Sequence, residues 1–278
     1  MTALLLAAKA RSFLFVPGHQ PERYNKVLGS AADMVILDLE DAVGPADKPA
    51  ARESIAAAWS SPADQRDRLL IRLNPDSTPF HKADFDLLAS LPGLRGIMVP
   101  KAENSQLFAG IAATFPSVYL LPMVESAEGM ARIDEIARAP SVARIGVGHI
   151  DLQADLGMSC NKNETELGPM RFAVVMASRR ANIASPIDGV TTAITDTAAI
   201  SRDTLRSRRF GFSGKLCIHP SQVSHVHAAF APTPEEIVWA KRVIDTLTDA
   251  RGGAFSVDGK MVDAPVISLA RQLLRAAG

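Results

Sequence analysis

The chain has 278 residues, the length of one large domain or two small ones. At 47% hydrophobic and 22% charged residues it is not a disordered chain, a fibrous repeat or a disulfide miniprotein. Thirty Lys and Arg against thirty Asp and Glu leave no positive field for non-specific nucleic-acid binding.

Two cysteines, Cys160 and Cys217, fit a reducing compartment better than a disulfide framework. The apolar opening Ala3-Leu4-Leu5-Leu6-Ala7-Ala8 is followed by Lys9 and Arg11, the reverse of a signal peptide, and no run reaches the roughly 18–20 apolar residues of a membrane span. The expectation is a cytoplasmic protein with neither membrane nor nucleic acid as partner.

Short runs rich in Val, Ile and Leu follow one another along the chain: Ser12–Pro17, Met34–Leu39, Leu69–Leu73, Gly96–Pro100, Val118–Val124, Val142–Val147, Ile187–Thr191 and Lys215–His219. Most are continuously apolar, as strands buried on both faces are. Helical spacing lies between them, as in Leu107-Ile111-Ala112-Phe115 and Met130-Ile133-Ile136-Ala137. Asp33 and Asp47 read as helix caps. Strands alternating with helices give a parallel sheet. Eight units over about 220 residues, without a Gly-x-Gly-x-x-Gly turn after the first strand, predict a closed (β/α)8 TIM barrel, not an open doubly wound sheet. The barrel is placed at residues 1–230, with its last helix reaching about residue 250. Residues 251–278 form a C-terminal arm: Arg251-Gly252-Gly253 breaks the long helix from Pro234, a hairpin with an Asp-Gly turn spans Phe255–Val262, and a final helix starts near Pro265.

In such a barrel the reacting groups stand where the strands end. Several apolar runs finish on charged residues: Asp38-Leu39-Glu40-Asp41, Arg72-Leu73-Asn74, Lys101-Ala102-Glu103, Glu125-Ser126 and, after the sixth, Asp151. Cys217-Ile218-His219-Pro220 completes the ring. Glu125 and Asp151, on neighbouring strands, suit one hard divalent cation such as Mg2+. Zinc fits poorly, because His225 and His227 are two apart on a helix and share no face. Arg72 offers a planar fork for a carboxylate or a developing enolate oxygen. Taken singly, each group also has an ordinary reading: Glu40 as a structural partner of Arg72, Lys101 as a loop surface charge, His219 as a packed turn residue and His149 as a structural group. The segment Met158–Glu166 reads equally as a lid and as a surface loop.

These motifs together resemble the citrate lyase beta-subunit-like family of the aldolase/citrate lyase superfamily. The resemblance runs through Arg11–Gly18, Ala32–Val43, Ile71-Arg72-Leu73-Asn74, Val99–Glu103, Val124–Gly129, Asp151–Gly157, Gly211–Lys215 with Ile218-His219-Pro220, and Asp258–Pro265. It covers nearly the whole chain. It implies a Mg2+-dependent carbon–carbon lyase that cleaves a citramalyl-, malyl- or citryl-CoA thioester to acetyl-CoA and a 2-oxo acid (glyoxylate, pyruvate or oxaloacetate), through a metal-chelated alkoxide and an acetyl thioester enolate. It further implies Glu125 and Asp151 as metal ligands, Glu125 and Arg72 against the substrate, and Arg72 as the group that stabilises the enolate. Lys26 would meet the coenzyme phosphates and Phe15 the cofactor. Glu40 and Asp41 would hold metal-bound waters, and Asp263 would be an acid–base group, in some relatives supplied by a neighbouring subunit. A homo-oligomer, trimer or hexamer, is the expected assembly. Two rivals stand beside it: a 4-hydroxy-2-oxo acid aldolase that releases pyruvate without CoA, and a non-autonomous subunit of a citrate lyase complex. Related aldolases carry His just after the second-strand acid, where this chain has Asp41, which favours thioester chemistry.

Overall fold

Eight short strands close into a parallel barrel in chain order: β1 (Ser12–Pro17), β2 (Met34–Asp38), β3 (Leu69–Arg72), β4 (Gly96–Val99), β5 (Tyr119–Val124), β6 (Gly146–Val147), β7 (Ile187–Asp188) and β8 (Gly214–Cys217), with β8 returning to pair with β1. The structure is a computed structural model and describes residues 2–59, 66–249 and 254–277. It bears out the (β/α)8 barrel. All eight predicted runs carry a strand, and helices separate them, among them Lys48–Ala58, His81–Ser90, Ser105–Thr114, Gly168–Arg180 and Thr197–Phe210. The sixth run is cut short. Val142 makes an isolated bridge to Leu120, and the regular strand resumes only at Gly146.

Alternation along the strands places one set of side chains in the barrel interior. Phe13, Met34, Ile36, Leu70, Met98, Leu121, Met123, Ile187 and Leu216 form one buried cluster, joined by Ala3, Ala7 and Ala10 of the first helix and its end. That helix, Ala3–Lys9, closes the amino end of the barrel. Arg144, fully buried, ties it down: the guanidinium donates to the carbonyls of Ala7 (2.8 Å), Ala10 (2.7 Å) and Ser185 (2.7 Å) and to Ser213 Oγ (3.0 Å). Burial pushes its pKa down to about 9. In such barrels the chemistry sits at the opposite, carboxyl end of the strands.

Two expectations are corrected. Asp33 caps no helix: its Oδ2 accepts the N–H groups of Arg11 (2.7 Å) and Ser12 (3.2 Å) and faces His227 Nε2 at 3.2 Å, so it locks the entry of β1 beside β2. Asp47 stands at the N-cap of Lys48–Ala58 without a side-chain capping bond.

Residues Met1–His227 form one compact unit and Ala228–Gly278 a second. In the second, helix Pro234–Asp249 and helix Ala264–Ala277 pack on a two-stranded hairpin, β9 (Phe255–Val257) and β10 (Lys260–Val262), around Ala240, Val243, Val257, Val262 and Ala270. The turn is Asp258-Gly259, both with positive φ (53° and 73°), which is why Gly follows Asp here. The expected break at Arg251-Gly252-Gly253 lies outside the described residues. Among the described residues no helix is long and apolar enough to cross a membrane.

Candidate active site

The interior alternation that buries Met34 and Ile36 continues to Asp38; it continues from Leu70 to Arg72, and from Leu121 and Met123 to Glu125. Polar groups therefore enter the barrel at its carboxyl end. Asp38, fully buried, takes the Arg72 fork bidentately: Nε to Oδ1 at 2.7 Å and Nη2 to Oδ2 at 2.6 Å. The same two oxygens accept the backbone N–H groups of Glu40 (2.8 Å) and Ala42 (3.1 Å), so one carboxylate fixes both the arginine and the loop after β2. Arg72 Nη1 lies 2.7 Å from Glu40 Oε2, an ion pair off the hydrogen-bonding direction, and 3.4 Å from Asp41 Oδ2. Beneath it the Phe15 ring centroid is 4.6 Å from the guanidinium carbon. Burial opposes the Arg72 charge, but Asp38 and Glu40 outweigh it and raise its pKa further.

Lys48, the buried first residue of its helix, braces the loop from outside. Its Nζ donates to the carbonyls of Leu39 (2.8 Å) and Glu40 (3.2 Å) and to Asn74 Oδ1 (2.6 Å). Asn74 in turn donates to Leu39 O and Asp84, stitching the loops after β2 and β3 together.

The two expected metal ligands follow β5 and β6. Glu125 directly follows β5 and is 2% exposed; the next residue, Ser126, caps helix Ala127–Ala131 by accepting Gly129 N–H at 3.1 Å. Asp151 lies in the first turn of helix His149–Leu156. Gly148 between β6 and that helix has no room for a side chain, since a Cβ there would overlap the Glu125 carboxylate. The structure brings the two acids onto one cation: Lys101 Nζ is 2.6 Å from Asp151 Oδ1 and 3.9 Å from Glu125 Oε1, and Lys101 N donates to Glu125 Oε1 at 2.7 Å. Burial pushes the Glu125 pKa up to about 7 against the pull of Lys101, with Asp151 adding to the rise. Burial likewise pushes Glu40 to about 8, against Arg72, with Glu125 and Asp41 raising it further.

This donor set fits a hard divalent cation. Two carboxylates stand at one opening, the buried one short of countercharge. Mg2+ is usually held by one or two protein carboxylates and keeps several waters.

The other predicted residues have their own local surroundings. Asp41 is largely exposed at the rim. Lys26 is exposed on the short helix Tyr24–Leu28. Asp263, in the second unit, precedes helix Ala264–Ala277; its carbonyl accepts Ile267 N at 2.9 Å and its Oδ1 faces Val266 N at 3.4 Å. His219 turns to Ser221, whose N–H its Nδ1 accepts at 3.2 Å. His149 is buried, with Nε2 3.4 Å from Glu164 Oε1. Glu164, the anchor of the Met158–Glu166 segment, is also held by Arg171 (2.5 Å) and Arg206 (2.7 Å). From the sequence, Asp38 and Lys101 are both strand-end charges with no role assigned at the site. The signal for Asp38 was parity with Met34 and Ile36.

The family model described as HpcH/HpaI aldolase/citrate lyase matches residues 11–220. A citrate lyase subunit beta-like protein of Deinococcus radiodurans is 35% identical, over 96% of this chain and 97% of its own length. A (3S)-malyl-CoA thioesterase of Cereibacter sphaeroides is 32% identical, over 96% and 94%. The crystal structure of protein CitE from Mycobacterium tuberculosis in complex with magnesium, acetoacetate and coenzyme A superposes with a TM-score of 0.87 at 33% identity, covering 98% of this chain and 99% of that one. With the model spanning the barrel and relatives aligned nearly end to end, the chain belongs to the HpcH/HpaI aldolase/citrate lyase family.

Proposed function

We propose that this chain is a Mg2+-dependent carbon–carbon lyase that cleaves a citramalyl-, malyl- or citryl-CoA thioester to acetyl-CoA and a 2-oxo acid. The observation that carries the reading is the pairing, at one end of the barrel, of a clamped arginine with two carboxylates gathered on a single cation. Similarity to a CitE structure that holds magnesium, acetoacetate and coenzyme A supports it.

Glu125 and Asp151 would hold the metal. When bound, the ion would supply a Lewis acid for a substrate hydroxyl and a countercharge for the adjoining carboxylate. Arg72, held by Asp38 before substrate arrives, presents its remaining N–H donors where negative charge collects on the thioester oxygen as the carbon–carbon bond breaks. Because the clamp is already made, little reorganisation is left for the reaction itself. Phe15 supports the guanidinium from below. Glu40 and Asp41 would hold metal-bound waters, and Lys26 would meet the coenzyme phosphates. Asp263 is assigned the proton that returns to the acetyl carbon.

A direct assay tests the whole reading. Malyl-, citramalyl- and citryl-CoA are incubated with the purified chain, with and without Mg2+, and acetyl-CoA, free CoA and 2-oxo acid are measured. Mg2+-dependent acetyl-CoA with an equal amount of 2-oxo acid supports it. Free CoA with intact hydroxy acid makes the chain a thioesterase, as the Cereibacter relative is named. Pyruvate from a free 4-hydroxy-2-oxo acid makes it an aldolase. Turnover only with added complex subunits makes it a component.

A further inference from the structure

Lys101 does two things with one residue. Its backbone N–H holds Glu125 and its ammonium holds Asp151, and it does so in the left-handed region, with φ at 46°. A non-glycine residue keeps that conformation only where its surroundings enforce it. Among the described residues, Lys101 is the sole cation within ion-pair distance of either Glu125 or Asp151.

We propose that Lys101 is a stand-in cation: it gathers Glu125 and Asp151 in the metal-free chain and is expelled from between them when the divalent ion binds. The inference rests on the metal reading above. Magnesium sits about 2.0–2.1 Å from a ligand oxygen. An ammonium already 2.6 Å from Asp151 Oδ1 and 3.9 Å from Glu125 Oε1 occupies the approach to the same oxygens, so the two cations exclude each other by volume and by charge.

The way out is built in. The Lys101 side chain is 37% exposed and ends on a flexible four-carbon stem, so the ammonium leaves toward solvent while the backbone N–H stays on Glu125. Without a cation in the gap the two like-charged carboxylates repel each other. Lys101 thereby keeps the ligands together at the cost of competing with the ion that replaces it.

Two measurements on the full chain test this, with Mg2+ alone as probe. In calorimetric titration of the metal-free protein at fixed ionic strength, Lys101→Met is expected to bind Mg2+ about two- to fivefold more tightly than wild type, the range that follows from losing a partly exposed ion pair. In wild type, acetylation of Lys101, read by peptide mass spectrometry, is expected to rise severalfold with MgCl2 over NaCl of equal ionic strength. Equal or weaker binding by Lys101→Met overturns the proposal. Tighter binding with unchanged Lys101 reactivity also overturns it, because net charge alone then explains the affinity. Glu125→Gln, expected to lose the ion, identifies the heat of this site. If wild type and Lys101→Met both bind no Mg2+, the metal reading itself has failed, which the first two outcomes leave intact. Lys101→Gly, unstrained at positive φ, replaces the Met variant if that one does not fold.

Discussion

Replacing Arg72 separates the two jobs that the structure gives it. Arg72→Ala removes an N–H donor set aimed at the developing charge; one such donor is worth about 10²–10³ in kcat. It also leaves Asp38, fully buried, without its bidentate partner. Breaking a buried pair by deleting one side costs about 3–5 kcal/mol. Asp38 keeps the backbone N–H groups of Glu40 and Ala42, and Lys48 still acts on it, so the lower end, about 3 kcal/mol, is expected. Arg72→Lys restores charge but not the fork, and recovers much of the stability while recovering little of the rate. The assays are urea unfolding of each variant beside kcat and KM for the preferred thioester. A lysine variant with wild-type kcat and only a raised KM would refute the reasoning, since Arg72 would then contribute uniform binding and no stabilisation specific to bond cleavage.

Glu125→Gln and Asp151→Asn are each expected to abolish Mg2+-dependent turnover and to weaken calorimetric Mg2+ binding by at least about tenfold, the scale of losing one carboxylate from a two-carboxylate site; normal binding in both removes the metal model. Glu125 and Glu40, raised to about 7 and about 8 from an ordinary 4.5, bind protons more strongly folded than unfolded. Their contribution to stability is full below pH 4.5 and lost as the pH rises through about 8, so the metal-free melting temperature should fall between pH 5 and 8, whereas saturating Mg2+, which needs both ligands ionised, should stabilise more at pH 8 than at pH 6. A melting temperature that climbs across that window in the metal-free protein contradicts the assignment. Asp263→Asn should slow solvent-deuterium exchange into acetyl-CoA at least about tenfold, within the range of general acid–base contributions; unchanged exchange makes Asp263 purely a helix cap.

The strands were legible because parallel strands buried on both faces are written as continuous apolar runs, and each of the eight runs yields one. Features that depend on distant partners were not. Arg144 interrupts the sixth run, and what makes room for a buried guanidinium there is a set of carbonyls more than a hundred residues earlier, at Ala7 and Ala10. Asp33 has the composition of a cap, but the N–H groups that need an acceptor belong to β1. Helix Ser105–Thr114 shows the same effect. The expected stripe was Leu107, Ile111, Ala112 and Phe115, whereas Phe108 and Ile111 are the buried pair, because packing selects among stripes that periodicity alone permits.

The candidate site divides along the same line. Which residues end strands is local information, and Arg72, Glu125, Glu40 and Lys101 were all named from it. Which of them meet depends on barrel stagger. The register sets Asp38 beside Arg72 across β2 and β3, so a period-two count from Met34 through Ile36 reaches Asp38 as an inward side chain, one register step from the guanidinium it clamps. Lys101 is harder. Its reach to Asp151 spans fifty positions and passes through a left-handed backbone that no alternation encodes. A strand-end charge thus becomes informative when its parity is inward and its neighbour in register carries the opposite sign. By that rule Asp38 and Arg72 identify each other from sequence and strand pairing alone, while the cation between Glu125 and Asp151 needs the three-dimensional loop.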